Sequence, residues 1–285
     1  MRSLLFISCL LLLLTGLLWG CAEPEEREDP EAGKVLDSPL SVAFDGTYLY
    51  VANANFNLSD DGRGFIAVID PERLLDGKGA VVSKLEIPPL CGHIELDVES
   101  KTLYLADRRN DKVIPVSIED PLNMELGDGI EVAGEPYRLL FDADTNRLFV
   151  ATLSGYLSVL DMDRCVLIRN FLLASKLSSL AMGPDHGYLA AGSRVLGVVY
   201  LFDPVELDFL FSFQVAGSGW LESTRALAVS PDGERLYVAT KSPSVLAVYR
   251  NDRLPWYPDR ALVALVPLDC QPEDILAFDD GVAVA

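Results

Sequence analysis

What most constrains this chain is a recurrence. Six apolar runs end at Phe44, Leu96, Phe141, Met182, Val229 and Phe278, at intervals of 52, 45, 41, 47 and 49 residues. The copy at 226–250, ALAVSPDGERLYVATKSPSVLAVYR, is the clearest. Its first run stops at Pro231, Asp232 and Gly233, which supply a fixed φ, a side chain that caps the turn and a tolerated positive φ. β-Branched and aromatic runs follow at 236–239 and 245–249, split by Lys241, Ser242 and Pro243. A helix would need a 3.6-residue period, and these runs have none.

The other copies repeat the pattern. Second runs lie at 48–52, 103–106, 148–151, 188–191 and, broken off, 282–285; third runs lie at 65–69, 113–118, 156–160 and 198–202. Fourth runs close the units at 81–87, 130–132, 166–173, 207–215 and 261–268. Four short strands per unit of about 40 to 50 residues predict an all-β fold, a β-propeller, because one such blade cannot bury both faces alone and must stack on neighbours in a ring. Residues 38–285 then hold five complete four-stranded blades and a partial sixth. The last run stops inside its second strand, so the expectation is a fragment lacking roughly 20 to 25 residues by the repeat length, or a sixth blade that borrows strands.

Strand order also sorts the loops. Connections from fourth to next first strand and from second to third lie on one face, around the channel, and the remaining hairpins lie on the other. The phrases SPDGERLYVAT, DADTNRLFVAT and ESKTLYLAD resemble the YVTN-type, lactonase-like propeller repeats of bacterial envelope proteins, over roughly residues 38–285. Pro39, Pro136 and Pro272, just ahead of their first strands, fit the same repeat, whereas no Trp-Asp dipeptide closes a third strand as a WD40 repeat would. The resemblance carries over no catalytic residue.

Residues 1–20 hold one basic side chain, Arg2, before a largely apolar run at 4–14, too short for a spanning helix and of the kind that directs export. Leu18-Trp19-Gly20-Cys21 resembles a bacterial lipobox, which implies a lipid-modified Cys21, and Ala22 rather than aspartate after it implies sorting to the outer membrane. The alternative is an ordinary cleaved signal with Cys21 incidental. The segment AEPEEREDPEAG that follows, within a tether at 21–37, has six acidic residues against one arginine and reads as solvated.

With 43 acidic and 23 basic side chains and a net charge of −20, the chain is expected to bind neither a nucleic-acid backbone nor an anionic lipid surface. It reads as a monomer attached to the membrane only through Cys21. Cys91, Cys165 and Cys270 stand in a compartment that permits disulfides. Cys91 and Cys270 fall on one face, so either a bridge between them or free thiols is expected.

On the channel face, polar residues at the starts of first strands are candidates: His93 and Glu95, with Arg138, Arg225, Glu273 and Asp274 around a ligand. His93 suits acid-base work because imidazole titrates near neutrality. Trp220 beside Glu222 offers an aromatic platform, or merely caps its own blade. Asn57, Asp60 and Asp61 offer oxygen ligands to a divalent cation. Asp142, Asp144 and Asn146 mimic an EF-hand start, but Arg147 stands where glycine is required and Leu153 where glutamate is, so this run reads as a structural hairpin. Two histidines make a His-rich zinc site untenable, and neither a phosphate-cradling glycine loop nor a Gly-x-Ser-x-Gly elbow is present. The expected function is a lipid-anchored envelope platform that binds a protein or small ligand without chemistry of its own. The alternative is a metal-assisted, lactonase-like hydrolase with Glu95, Glu273 and Asp274 around the ion and His93 as base.

Overall fold

The computed structural model describes residues 36, 38–54, 63–75, 79–173, 176–218, 224–254, 257–279 and 281–285. The predicted signal at 1–20, Cys21 and most of the tether lie outside them. The first sheet is β1 (Pro39–Phe44), β2 (Leu49–Asn53), β3 (Gly64–Ile69) and β4 (Val81–Ile87). The second is β5 (Cys91–Asp97), β6 (Thr102–Asp107), β7 (Lys112–Ser117), β8 (Glu125–Leu126) and β9 (Ile130–Glu131). The third is β10 (Pro136–Asp142), β11 (Arg147–Thr152), β12 (Tyr156–Asp161) and β13 (Val166–Leu172). The fourth is β14 (Leu177–Met182), β15 (Leu189–Ser193), β16 (Val198–Phe202) and β17 (Phe209–Gln214). The fifth is β18 (Thr224–Val229), β19 (Arg235–Lys241), β20 (Ser244–Arg250) and β21 (Leu262–Pro267), followed by the pair β22 (Ile275–Phe278) and β23 (Gly281–Val284).

Each sheet is an antiparallel meander in chain order, and the first strands neighbour one another in series, β1 with β5, then β10, β14, β18 and β22. This is a β-propeller. The core lies between blades, not within them: one apolar cluster joins each sheet to the next, from Tyr50, Ile66, Leu103 and Val116 through Leu201, Val238 and Tyr249 to Tyr237 and Ile275. Second strands are covered on both faces, which is why LYVAN and LFVAT run apolar without alternation. Outer strands face solvent, and β13 is exposed along nearly its whole length.

Three features went beyond the repeat. The fourth strand of the second blade is split into β8 and β9, both paired to β7 around Gly127 and Gly129, where a Cβ would press on Pro115 and Lys112. Short helices interrupt two third-to-fourth connections, α1 (Pro71–Leu75) and α2 (Pro258–Ala261). Each begins on proline, whose missing N–H costs nothing there, and Asp70 caps α1 by accepting the N–H groups of Glu72 and Arg73 at 3.0 and 3.3 Å. Gly233 does adopt a positive φ, +71°.

In every complete blade the pairing of first to second strand breaks register near the start of the first strand. Pairing of first to second strand slips between Pro39 and Ser41, Cys91 and Ile94, Pro136 and Arg138, Leu177 and Ser179, and Thr224 and Ala226. A bulge re-aims the residue it holds. The residues skipped include His93, Tyr137, Ser178 and Arg225, all at the channel end of their strands.

Candidate functional site: the channel mouth

The second strands of five blades carry a buried polar residue at their channel end, Asn53, Asp107, Thr152, Ser193 and Thr240. Several cap the loop that follows: Thr152 Oγ1 accepts Tyr156 N–H at 2.9 Å, Ser193 Oγ accepts Leu196 N–H at 2.8 Å, and Asp107 Oδ1 accepts Arg109 N–H at 3.2 Å. The next residue in register is Arg108, Arg194 or Lys241 in three of these blades. The repeat therefore delivers cations to the face that the strand order assigned to the channel.

They meet the residues of the first strands there. Arg108 and Arg194 stand over the Tyr137 ring at 5.6 and 4.9 Å. Arg225 pairs with Glu273 at 3.6 Å, Lys241 with the same carboxylate at 3.3 Å, and Arg138 with Asp274 at 3.1 Å. The last pair joins the third blade to the chain entering β22. Burial, and then the like charge of Arg194, lower the proton affinity of Arg225.

His93 and Glu95 have a different place. They cap the free edge of the next first strand: Leu139 N–H donates to His93 Nδ1 and Phe141 N–H to Glu95 Oε1, each at 3.4 Å. Ser41 Oγ does the same for Ile94 N–H at 3.2 Å, and Ser178 Oγ donates to Thr224 O at 2.7 Å. These bonds occupy ladder groups that an innermost strand otherwise leaves open. Burial, with Arg138 adding to it, holds the His93 pKa well below its ordinary value, so the ring is neutral with its proton on Nε2. Its 3.9 Å approach to Glu95 is therefore not an ion pair. Burial pushes Glu95 up to about 7 against Arg138 and the Phe141 N–H.

The sequence singled out Arg138, Arg225, Glu273 and Asp274, whose ion pairs lie here, and passed over Arg108, Tyr137, Arg194 and Lys241. The signal was present, since the three cations occupy one repeat position. Asn57, Asp60, Asp61 and Trp220 lie outside the described residues. The Cys91–Cys270 bridge does not form: both thiols are free, as is the exposed Cys165. Cys91 is packed into the cluster between the first two blades, while Cys270 precedes β22 on the far side of three further blades.

On the opposite face, His186 Nε2 lies 2.8 Å from Asp142 Oδ1 and 3.6 Å from Asp144 Oδ2. These three could ligate a cation, but Asp142 also accepts Asp144 N–H and Thr145 Oγ–H. The contact ties the β10–β11 hairpin to the β14–β15 hairpin, as Tyr188 Oη ties the fourth blade to Asn251 of the fifth at 2.6 Å. A half-open hollow of ≈ 260 Å³ beside Asp45, Tyr48, Val98 and Lys101 also lies at hairpins of this face, away from the cations.

No protein family and no curated protein matches the chain. Its fold is similar to the crystal structure of a protein from Lactobacillus plantarum, with a TM-score of 0.67 and 18% identity over 84% of this chain and 74% of the other. That likeness is one of fold.

Proposed function

We propose that this protein is a lipid-anchored β-propeller of the bacterial envelope, facing the periplasm from the outer membrane, that works as a non-catalytic platform engaging a protein or small ligand at its channel mouth. The dispersal of the channel carboxylates carries the reading. A hydrolase of the alternative kind needs Glu95, Glu273 and Asp274 to aim oxygens at one ion. Instead Glu95 caps Phe141, Glu273 meets Arg225 and Lys241, and Asp274 meets Arg138. His93, the base in that scheme, has its Nδ1 lone pair engaged by Leu139. The YVTN-like repeats, the export signal and the lipobox-like sequence at Cys21 support the envelope setting.

Two measurements test it. Mass spectrometry of the mature protein should find an acylated Cys21 that Cys21→Ser abolishes, and an unmodified N-terminus would remove the anchor. A photo-crosslinker at Lys241 should capture a discrete partner or ligand in cells, with one at Asp185 on the hairpin face as the control. Metal-dependent lactone turnover lost on Glu273→Gln would overturn the platform.

A further inference from the structure

Among the described residues, the buried side-chain atoms that lack a hydrogen-bond partner all belong to the mouth. They are Arg108 Nε, Ser179 Oγ, Thr224 Oγ1, and Nε and Nη1 of Arg225. Such orphans are rare in folded proteins because each has given up its bonds to water without replacing them. Thr224 adjoins Arg225, and Ser179 and Thr224 close over Gly192, where a Cβ would collide with both. The Arg225 side chain is only 10% exposed. A set of donors this concentrated calls for a partner rich in acceptors.

Charge points the same way. A chain with 43 acidic residues has carboxylates to hand, yet among the described residues neither Arg108 nor Arg194 has one at ion-pair distance. Both are held over one tyrosine ring instead, and Arg194 adds its like charge to that of Arg225. Gathering guanidinium groups without counter-charges costs stability unless an anion completes them.

We propose that Arg108, Arg194 and Arg225, with the hydroxyls of Ser179 and Thr224 beneath them, form a binding site for a small organic oxyanion carrying two negative charges. Two uncompensated guanidinium groups match a dianion, and planar N–H donors match the oxygens of a carboxylate or phosphate. Tyr137 positions two of the three arginines. The two sources of this chemistry, a dicarboxylate and a phosphate monoester, are separated by the test below. The assignment rests on the mouth being the working face.

The purified full chain is titrated calorimetrically with succinate, with glycerol 2-phosphate and with the monoanion acetate, against sodium chloride of equal ionic strength. One dianion should bind saturably at one site per chain and at least tenfold more tightly than acetate, and which one does so identifies the source. Arg194→Met should weaken binding at least tenfold, Arg194→Lys less, and Lys84→Met, remote on β4, not at all. Without ligand at low salt, the Arg108→Met/Arg194→Met protein should melt no lower than wild type, because a repulsion has been removed. Heats no larger than the chloride control for both dianions, or binding that survives both Arg194→Met and Arg225→Lys, would overturn the site. Capture of a protein at Lys241 with neither dianion bound would leave the platform standing and sink this site. A dianion that binds and is chemically converted would do the reverse.

Discussion

Replacing Glu95 by glutamine should stabilise the protein at neutral and alkaline pH and leave it unchanged in acid. Burial raises the folded carboxyl to about 7, while the unfolded chain restores the ordinary value of about 4.3. Between those values the folded protein holds a proton that the unfolded chain has lost, so this residue makes stability fall as pH rises. The gap, at 1.36 kcal/mol per unit, comes to about 4 kcal/mol, absent below about pH 4 and complete above about pH 8. Glutamine keeps an oxygen for the Phe141 N–H, now bonded at 3.4 Å, and cannot ionise. Urea unfolding of both proteins in half-unit steps from pH 4 to 9, compared at equal m, reads the difference directly. The curves should coincide at the acid end and separate by about 4 kcal/mol at the alkaline end. Parallel curves, or a variant less stable throughout, would mean that the carboxylate is solvated or firmly paired with Arg138, and would refute the burial argument.

Three further outcomes are expected. Leu201→Ala, at a fully buried position between the fourth and fifth blades, should cost about 3 kcal/mol in the same unfolding assay; a loss below about 1 would mean that the wedge is loosely packed. His186→Ala should cost about 1 kcal/mol near pH 5.5 and little at pH 9. The Asp142 hydrogen bond raises the imidazole pKa, so its stabilisation is present below the unfolded value and lost as pH rises through the folded one. Burial pushes the Asp142 carboxyl up, but Thr145 and His186 outweigh it and hold the group low, so its share is lost only in stronger acid. In a chain whose Cys9, Cys21 and Cys270 are replaced by serine, a disulfide reagent should titrate Cys165 in the folded protein and Cys91 only on unfolding, since Cys165 is exposed and burial pushes the Cys91 thiol up; a fast phase that survives the further change Cys165→Ser would contradict this.

The repeat spacing, the Pro-Asp-Gly turn and the unbroken apolar second strands determined the propeller from the sequence alone. Those signals are local: they depend on a few neighbouring residues and on a sheet being covered on both faces. The sorting of loops into two faces was equally legible, because it follows from strand order. What only the tertiary structure decided is which polar residues meet. His93 and Glu95 looked like channel chemistry, but the bulge at Gly92 and His93 lies beside the free edge of β10, and both side chains are used to cap it. Arg108, Tyr137 and Arg194 belong to three different blades and are brought together only when the blades close side by side. His186 finds Asp142 for the same reason, 44 residues away in the chain. A contact between blades depends on how wedges pack around an axis, and no short stretch of sequence carries that geometry.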